Sequence, residues 1–134
     1  MNPYSNNGYD HYQESNVALS SPEGLVVLLY AECLCCLVVS REAFLMKDWT
    51  AWNKNMSKAV EILAELIGSL DMEKGERIGF CLALLYEYIA EKLLILRREP
   101  NIALFDEVIN LIVPLKEAWE TIAVQNTPLQ MAMK

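Results

Sequence analysis

Histidine is almost missing from this chain: His11 is the single one among 134 residues. A nucleophile–histidine triad needs that ring held in a fixed place, and His11 stands in a polar N-terminal stretch that cannot build a core. No glycine-rich loop is present to cradle a phosphate. Carboxylates are plentiful, but Glu61, Glu65, Glu87, Glu91, Glu107, Glu117 and Glu120 fall on the polar sides of helical patterns, where charge is solvated. These absences argue against an enzyme, and the chain shows no need for a cofactor.

Positive charge is also scarce. Eleven Lys and Arg face 18 Asp and Glu, for a net charge of −7. Phosphate backbones are bound by basic patches, so nucleic acid is excluded as a partner, and anionic membrane surfaces are disfavoured. A membrane span takes about 20 consecutive apolar residues, and Glu32 splits the only candidate, Leu25–Val39. The first 21 residues have neither a basic start nor an apolar stretch, so no secretory leader is expected. The expectation is a cytoplasmic protein without membrane insertion.

The four cysteines do not form a familiar site. Cys33 and Cys36 make a C-x-x-C pair with Cys35 between them, but a redox pair is activated at a helix N-terminus. This one lies about three turns into a helix. Zinc takes four ligands with loop-like spacing, and the remaining thiol is Cys81. The pattern suits cysteine as a small apolar packing residue, left free in a reducing compartment. No metal is expected; a metal or redox protein built on Cys33, Cys35 and Cys36 is the alternative that metal analysis decides.

What is abundant is apolar surface. Hydrophobic residues make up 54% of the chain, against a usual value of about 45–50%. One domain of this length can bury a real core, and the surplus points to a partner or an oligomer. Residues 1–20 read as a flexible N-terminal arm of turn-forming Asn and Gly that nevertheless carries Tyr4, Tyr9 and Tyr12, then Val17 and Leu19. Residues 21–124 read as a helical bundle and 125–134 as a short tail.

Ser21, Pro22 and Glu23 start the first helix as cap, first-turn proline and dipole-matched acid, and it runs to about Met46. Asp48 or Thr50 caps a second, with the stripe Trp52, Met56, Ala59, Leu63, Leu66 and Leu70. The third covers roughly Lys74 to Arg98. It has two stripes: Ile78, Leu82, Leu85, Ile89, Leu93 and Leu96, and also Phe80, Leu84, Tyr88 and Ile95. The fourth covers roughly Ile102 to Val124 with the stripe Leu104, Val108, Leu111, Leu115, Trp119 and Ile122, and a kink is expected at Pro114. No alternating strand pattern appears. Four long helices with short links predict an all-α, antiparallel four-helix bundle. The doubled apolar faces and the tyrosine arm point to recognition of a helix in a groove.

The segment "YQESNVALSSPEGLVVLLY" (Tyr12 to Tyr30) resembles the opening motif of the FliS family of flagellin-specific export chaperones, roughly Y-x-x-x-S-V-x-T-A-S-P-E-E-L followed by a leucine-rich stretch ending L-Y. Tyr12, Val17, Ser21, Pro22, Glu23, Leu25, Leu29 and Tyr30 match it. "EILAELIGSLD" (Glu61 to Asp71), "LALLYEYIAEKL" (Leu82 to Leu93) and "DEVINLIVPLKEAW" (Asp106 to Trp119) resemble the later helices in order. Departures are Leu19–Ser20, Gly24, Leu96–Arg97, Pro114 and the cysteine cluster. The resemblance implies a chaperone that binds the C-terminal segment of flagellin in the cytoplasm, prevents premature polymerisation and keeps the subunit competent for secretion. Handover to the flagellar export apparatus follows as a further contact. It implies no ATP, and an arm that occupies client surface between clients. The candidate partner-binding residues are Tyr9, Tyr12, Val17 and Leu19 as the covering arm, and Trp52, Phe80, Leu84, Tyr88 and Ile95 as the groove. The same aromatics are equally suited to a core. The alternative function is a structural or regulatory bundle whose surplus apolar face makes a homodimer.

Overall fold

The computed structural model describes residues 21–70 and 72–125, with the side chains of 72–78 excepted. Its elements are α1 (Pro22–Leu45), α2 (Trp49–Gly68), α3 (Met72–Arg98) and α4 (Ile102–Gln125). No strand occurs among the described residues. The expected all-α bundle is what the chain forms.

Local chemistry sets each boundary. Ser21 Oγ accepts a hydrogen bond from the Gly24 amide at 3.0 Å and starts α1. At its other end the Lys47 amide donates to the Phe44 carbonyl (3.1 Å) and the Asp48 amide to the Ala43 carbonyl (2.8 Å). This paired arrangement is a Schellman closure, which puts the residue after the cap in the left-handed region. That residue is Lys47, at φ 60°. Asp48 then turns round and caps α2, accepting from the Ala51 amide at 3.2 Å. Asn101 does the same for α4 through the Leu104 amide, at 2.8 Å. A left-handed L-residue costs roughly 1–2 kcal/mol, partly offset by the greater chain entropy glycine loses on folding. Lys47→Gly should therefore stabilise the protein by about 1 kcal/mol and raise its Tm by about 3–5 °C. Thermal unfolding followed by circular dichroism checks this; a lowered Tm refutes it.

The short links force neighbouring helices to run antiparallel. Cross-helix pairs agree: Arg41, late in α1, reaches Asp106, early in α4, with Nε–Oδ1 at 2.8 Å, and Lys58 of α2 meets Glu32 of α1 at 3.0 Å. Such part-exposed, solvent-screened pairs add little to stability, so they chiefly report register. α1 packs extensively against α2 and α4, whereas α3 is seated more lightly between the same two helices.

One main core runs through the bundle. α1 contributes Tyr30, Cys33, Cys36 and Leu37, α2 Met56, Ala59, Leu63 and Leu66, α3 Tyr86, Ile89, Leu93 and Leu96, and α4 Phe105, Val108 and Ile112. The α2 stripe and, from Leu82 onward, the first α3 stripe thus face inward as their periodicity predicts; the Ile78 side chain lies outside the described ones. The α4 stripe needs correction. Its buried line is Phe105, Val108, Ile112 and Ala123, while Leu104, Leu111, Leu115 and Trp119 flank it half-buried and Ile122 is exposed. α4 touches helices on two sides, so its apolar arc is wider than one stripe and the line chosen from sequence lay along its edge. The helix continues past Pro114, which is exposed, as is Asn110, whose carbonyl loses the proline's missing donor.

α1 meets the length and composition of a membrane-crossing helix. Its Val27, Tyr30, Cys33, Leu37 and Ser40 are nevertheless spent on the interior of the bundle.

Candidate functional site

The second stripe of α3 points outward. Phe80 is 57% exposed, Leu84 52% and Tyr88 42%, with Ile95 half-buried further along. Spacings of four residues place the first three on one line of the helix. The opposite face carries Tyr86, Ile89, Leu93 and Leu96 into the core. A helix apolar on both faces exists here because the bundle uses only one of them. Lys92 Nζ lies over the face of the Tyr88 ring, 4.9 Å from its centroid. The other charged neighbours, Glu87 and Glu91, are exposed.

Beside this line, α2 and α3 leave a small pocket of about 160 Å³, walled by Val60, Ala64 and Ile67 on one side and Ala90, Leu93 and Leu94 on the other. Leu94, at 58% exposure, forms its rim. Neither Leu94 nor Ile67 belongs to a stripe read from sequence. Each sits next to a residue that does (Leu93, Ile95; Leu66), and a one-residue offset at the edge of an apolar arc leaves little periodic signal.

Trp52 is placed apart from the α3 line. It packs on the core at the α1–α2 corner, edge-on to Trp49 with centroids 6.1 Å apart. Its indole N–H is buried with no hydrogen-bond partner among the described residues. Trp49, in turn, stacks toward Phe44, and Phe44 toward Phe105. Met46, Leu45 and Trp49 are exposed at this corner; they flank the turn between two caps, where helical periodicity says nothing. Tyr9, Tyr12, Val17 and Leu19 lie outside the described residues.

The cysteines are disposed for packing. Cys33 and Cys36 are buried and Cys35 half-buried, all free, while Cys81 is exposed. Burial pushes the Cys33 thiol up to about 12, with Cys36 and Glu32 nearby adding to it; burial likewise raises Cys36. A thiol held protonated is a poor nucleophile and a poor ligand. Among the described residues no three His, Cys, Asp or Glu side chains gather as a metal set would.

Under the α3 line lies a polar contact in an otherwise apolar core. The Tyr30 and Tyr86 hydroxyls hydrogen-bond to each other across the bundle, with the Trp119 side chain of α4 packed against the same core. Burial raises both phenols, and for Tyr30 the bond to Tyr86 adds to the rise while the nearby Trp119 side chain opposes it. Three helices meet there, and Tyr86 brings α3 into the arrangement.

The outer face of α3 is apolar, extended and shallow, the form a binding surface takes. Comparison with known proteins agrees. The family model of the flagellar protein FliS matches residues 5–126. The flagellar secretion chaperone FliS of Campylobacter jejuni is 29% identical over 126 residues, covering 94% of this chain and 98% of the relative. The chaperone of the same description from Salmonella typhimurium is 32% identical over 111 residues, 82% of each chain. That from Bacillus subtilis is 24% identical over 114 residues, 85% of this chain and 84% of its own. These relatives are named as chaperones, not enzymes.

Proposed function

This chain belongs to the FliS family and has a chaperone role in flagellar export, and we propose that it performs that role by binding the C-terminal segment of flagellin in the cytoplasm. Bound there, the segment cannot pair with other subunits, so polymerisation is held off and the subunit stays competent for secretion. The observation that carries this reading is the exposed line Phe80, Leu84 and Tyr88, backed by a fully formed core. A client segment that orders on binding must recover its lost entropy by burying apolar area, at roughly 25 cal/mol per Å². A second apolar face on α3 supplies such area without weakening the bundle, and binding alone does the work without ATP.

In this reading Phe80, Leu84, Tyr88 and Ile95 form the central contact. Trp52 belongs to the set through the α1–α2 corner it shares with exposed Trp49. Residues 1–20 act as a covering arm, with Tyr9, Tyr12, Val17 and Leu19 as anchors that shield apolar surface between clients. Residues 21–124 are the working bundle and 125–134 a tail.

Calorimetric titration of the full chain with the host's flagellin C-terminal segment tests this. Micromolar or tighter binding with a negative heat-capacity change is expected. A folded, helical protein that shows no heat of binding at micromolar concentration overturns it. So does a tight dimer in sedimentation that the segment leaves unperturbed.

A further inference from the structure

We propose that the α2–α3 pocket is a separate anchor subsite, which takes one leucine- or phenylalanine-sized side chain from a client helix carrying Lys or Arg beside that anchor. The proposal rests on the client-binding reading above and adds to it a place and a chemistry. The pocket holds about 160 Å³ and every residue lining it is apolar. That volume matches one branched or aromatic side chain, and the apolar lining offers a polar or charged group no hydrogen-bond partner. α3 is lightly seated on α2 along this seam, which is why the space persists beside a packed core.

The rim supplies the second half of the specificity. Glu61 precedes Ala64 by three residues, Glu87 precedes Ala90 by three, and Glu91 precedes Leu94 by three, so all three carboxylates neighbour the pocket's walls on their helices. All are exposed, and none has an ion-pair partner among the described residues. Glu87 and Glu91 also lie between the pocket and the Leu84–Tyr88 line. A client helix laid over that line with its anchor in the pocket passes these carboxylates, and basic flanking residues satisfy them. An acidic flank is repelled.

Two measurements on the full chain test this. In methyl NMR, benzene should shift the signals of Val60, Leu63, Ile67, Leu93 and Leu94 selectively; a lack of such shifts overturns the pocket as an apolar acceptor. In calorimetry with the flagellin C-terminal segment, Ala64→Phe fills the pocket from an exposed position and should weaken binding at least about tenfold, with helicity retained. Glu87→Lys combined with Glu91→Lys should weaken it at low salt, with the difference shrinking as salt is raised. If the filled variant binds as well as the wild type, the subsite is refuted while the chaperone reading stands. If charge reversal tightens binding, the basic flank is refuted. If the wild type binds no segment, the underlying reading fails and the client assignment with it.

Discussion

Leu84→Asp should reduce affinity for the flagellin C-terminal segment by at least about 100-fold while leaving the bundle folded. The two halves of this expectation rest on different terms. Leu84 is 52% exposed and lies opposite the core face of α3. Folding therefore gains little from its side chain, and exchange on an exposed helix position costs about 0.5 kcal/mol in propensity. In a complex the same position is covered. The exposed half of the leucine then contributes about 0.8–1.5 kcal/mol of burial, and an aspartate there must be desolvated or protonated, at a further cost of several kcal/mol. About 2.7 kcal/mol already makes 100-fold. Calorimetry and far-ultraviolet circular dichroism on the same preparation separate the terms. Unchanged affinity removes Leu84 from the client surface. Loss of helicity shows that Leu84 supports the fold, and the exposed line then carries no function.

How much of this could be read from the residues differs by element. The caps at Ser21 and Asp48 were legible because capping is local: a side-chain oxygen, a free amide and a span of three residues decide it. The two faces of α3 were legible because each has its own helical period, and the bundle buries only one. Which face goes inside was settled by pairing across the core, with Tyr86, Ile89 and Leu93 meeting α1, α2 and α4. The arc of α4 was misjudged by one residue, since Leu104, Phe105, Ile109, Leu111 and Ile112 are all apolar and only neighbouring helices choose among them. The groove was legible in part. Phe80, Leu84 and Tyr88 announced themselves by spacing, whereas the pocket beside them exists only where α2 and α3 meet. Trp52 shared the residue type of a recognition aromatic but was drawn to the α1–α2 corner by Trp49 and the core. Tyr30 and Trp119 stood out as family-matching positions, and their meeting with Tyr86 could not be read from any one helix.

That meeting should produce the largest stability loss of any single hydroxyl in the described protein. Tyr30 and Tyr86 are almost fully buried, and their hydroxyls partner each other. Tyr30→Phe keeps the ring and its packing but leaves the Tyr86 hydroxyl buried without its partner, and Tyr86→Phe does the same to the Tyr30 hydroxyl. One such group costs about 1–3 kcal/mol, and each single variant should lose that much in urea unfolding. Combining the two should cost far less than the sum, because the Tyr30–Tyr86 bond can be lost only once. Additive losses would mean that the hydroxyls act independently. The consequence reaches the surface: α3 has light contacts on either side, so the bond at Tyr86 helps fix the helix whose outer face carries Phe80, Leu84 and Tyr88. Tyr86→Phe should therefore also weaken client binding by a few-fold although Tyr86 touches no client, and Leu84→Asp should leave the unfolding midpoint nearly unchanged. That crossed pattern separates the group that holds the surface from the groups that form it.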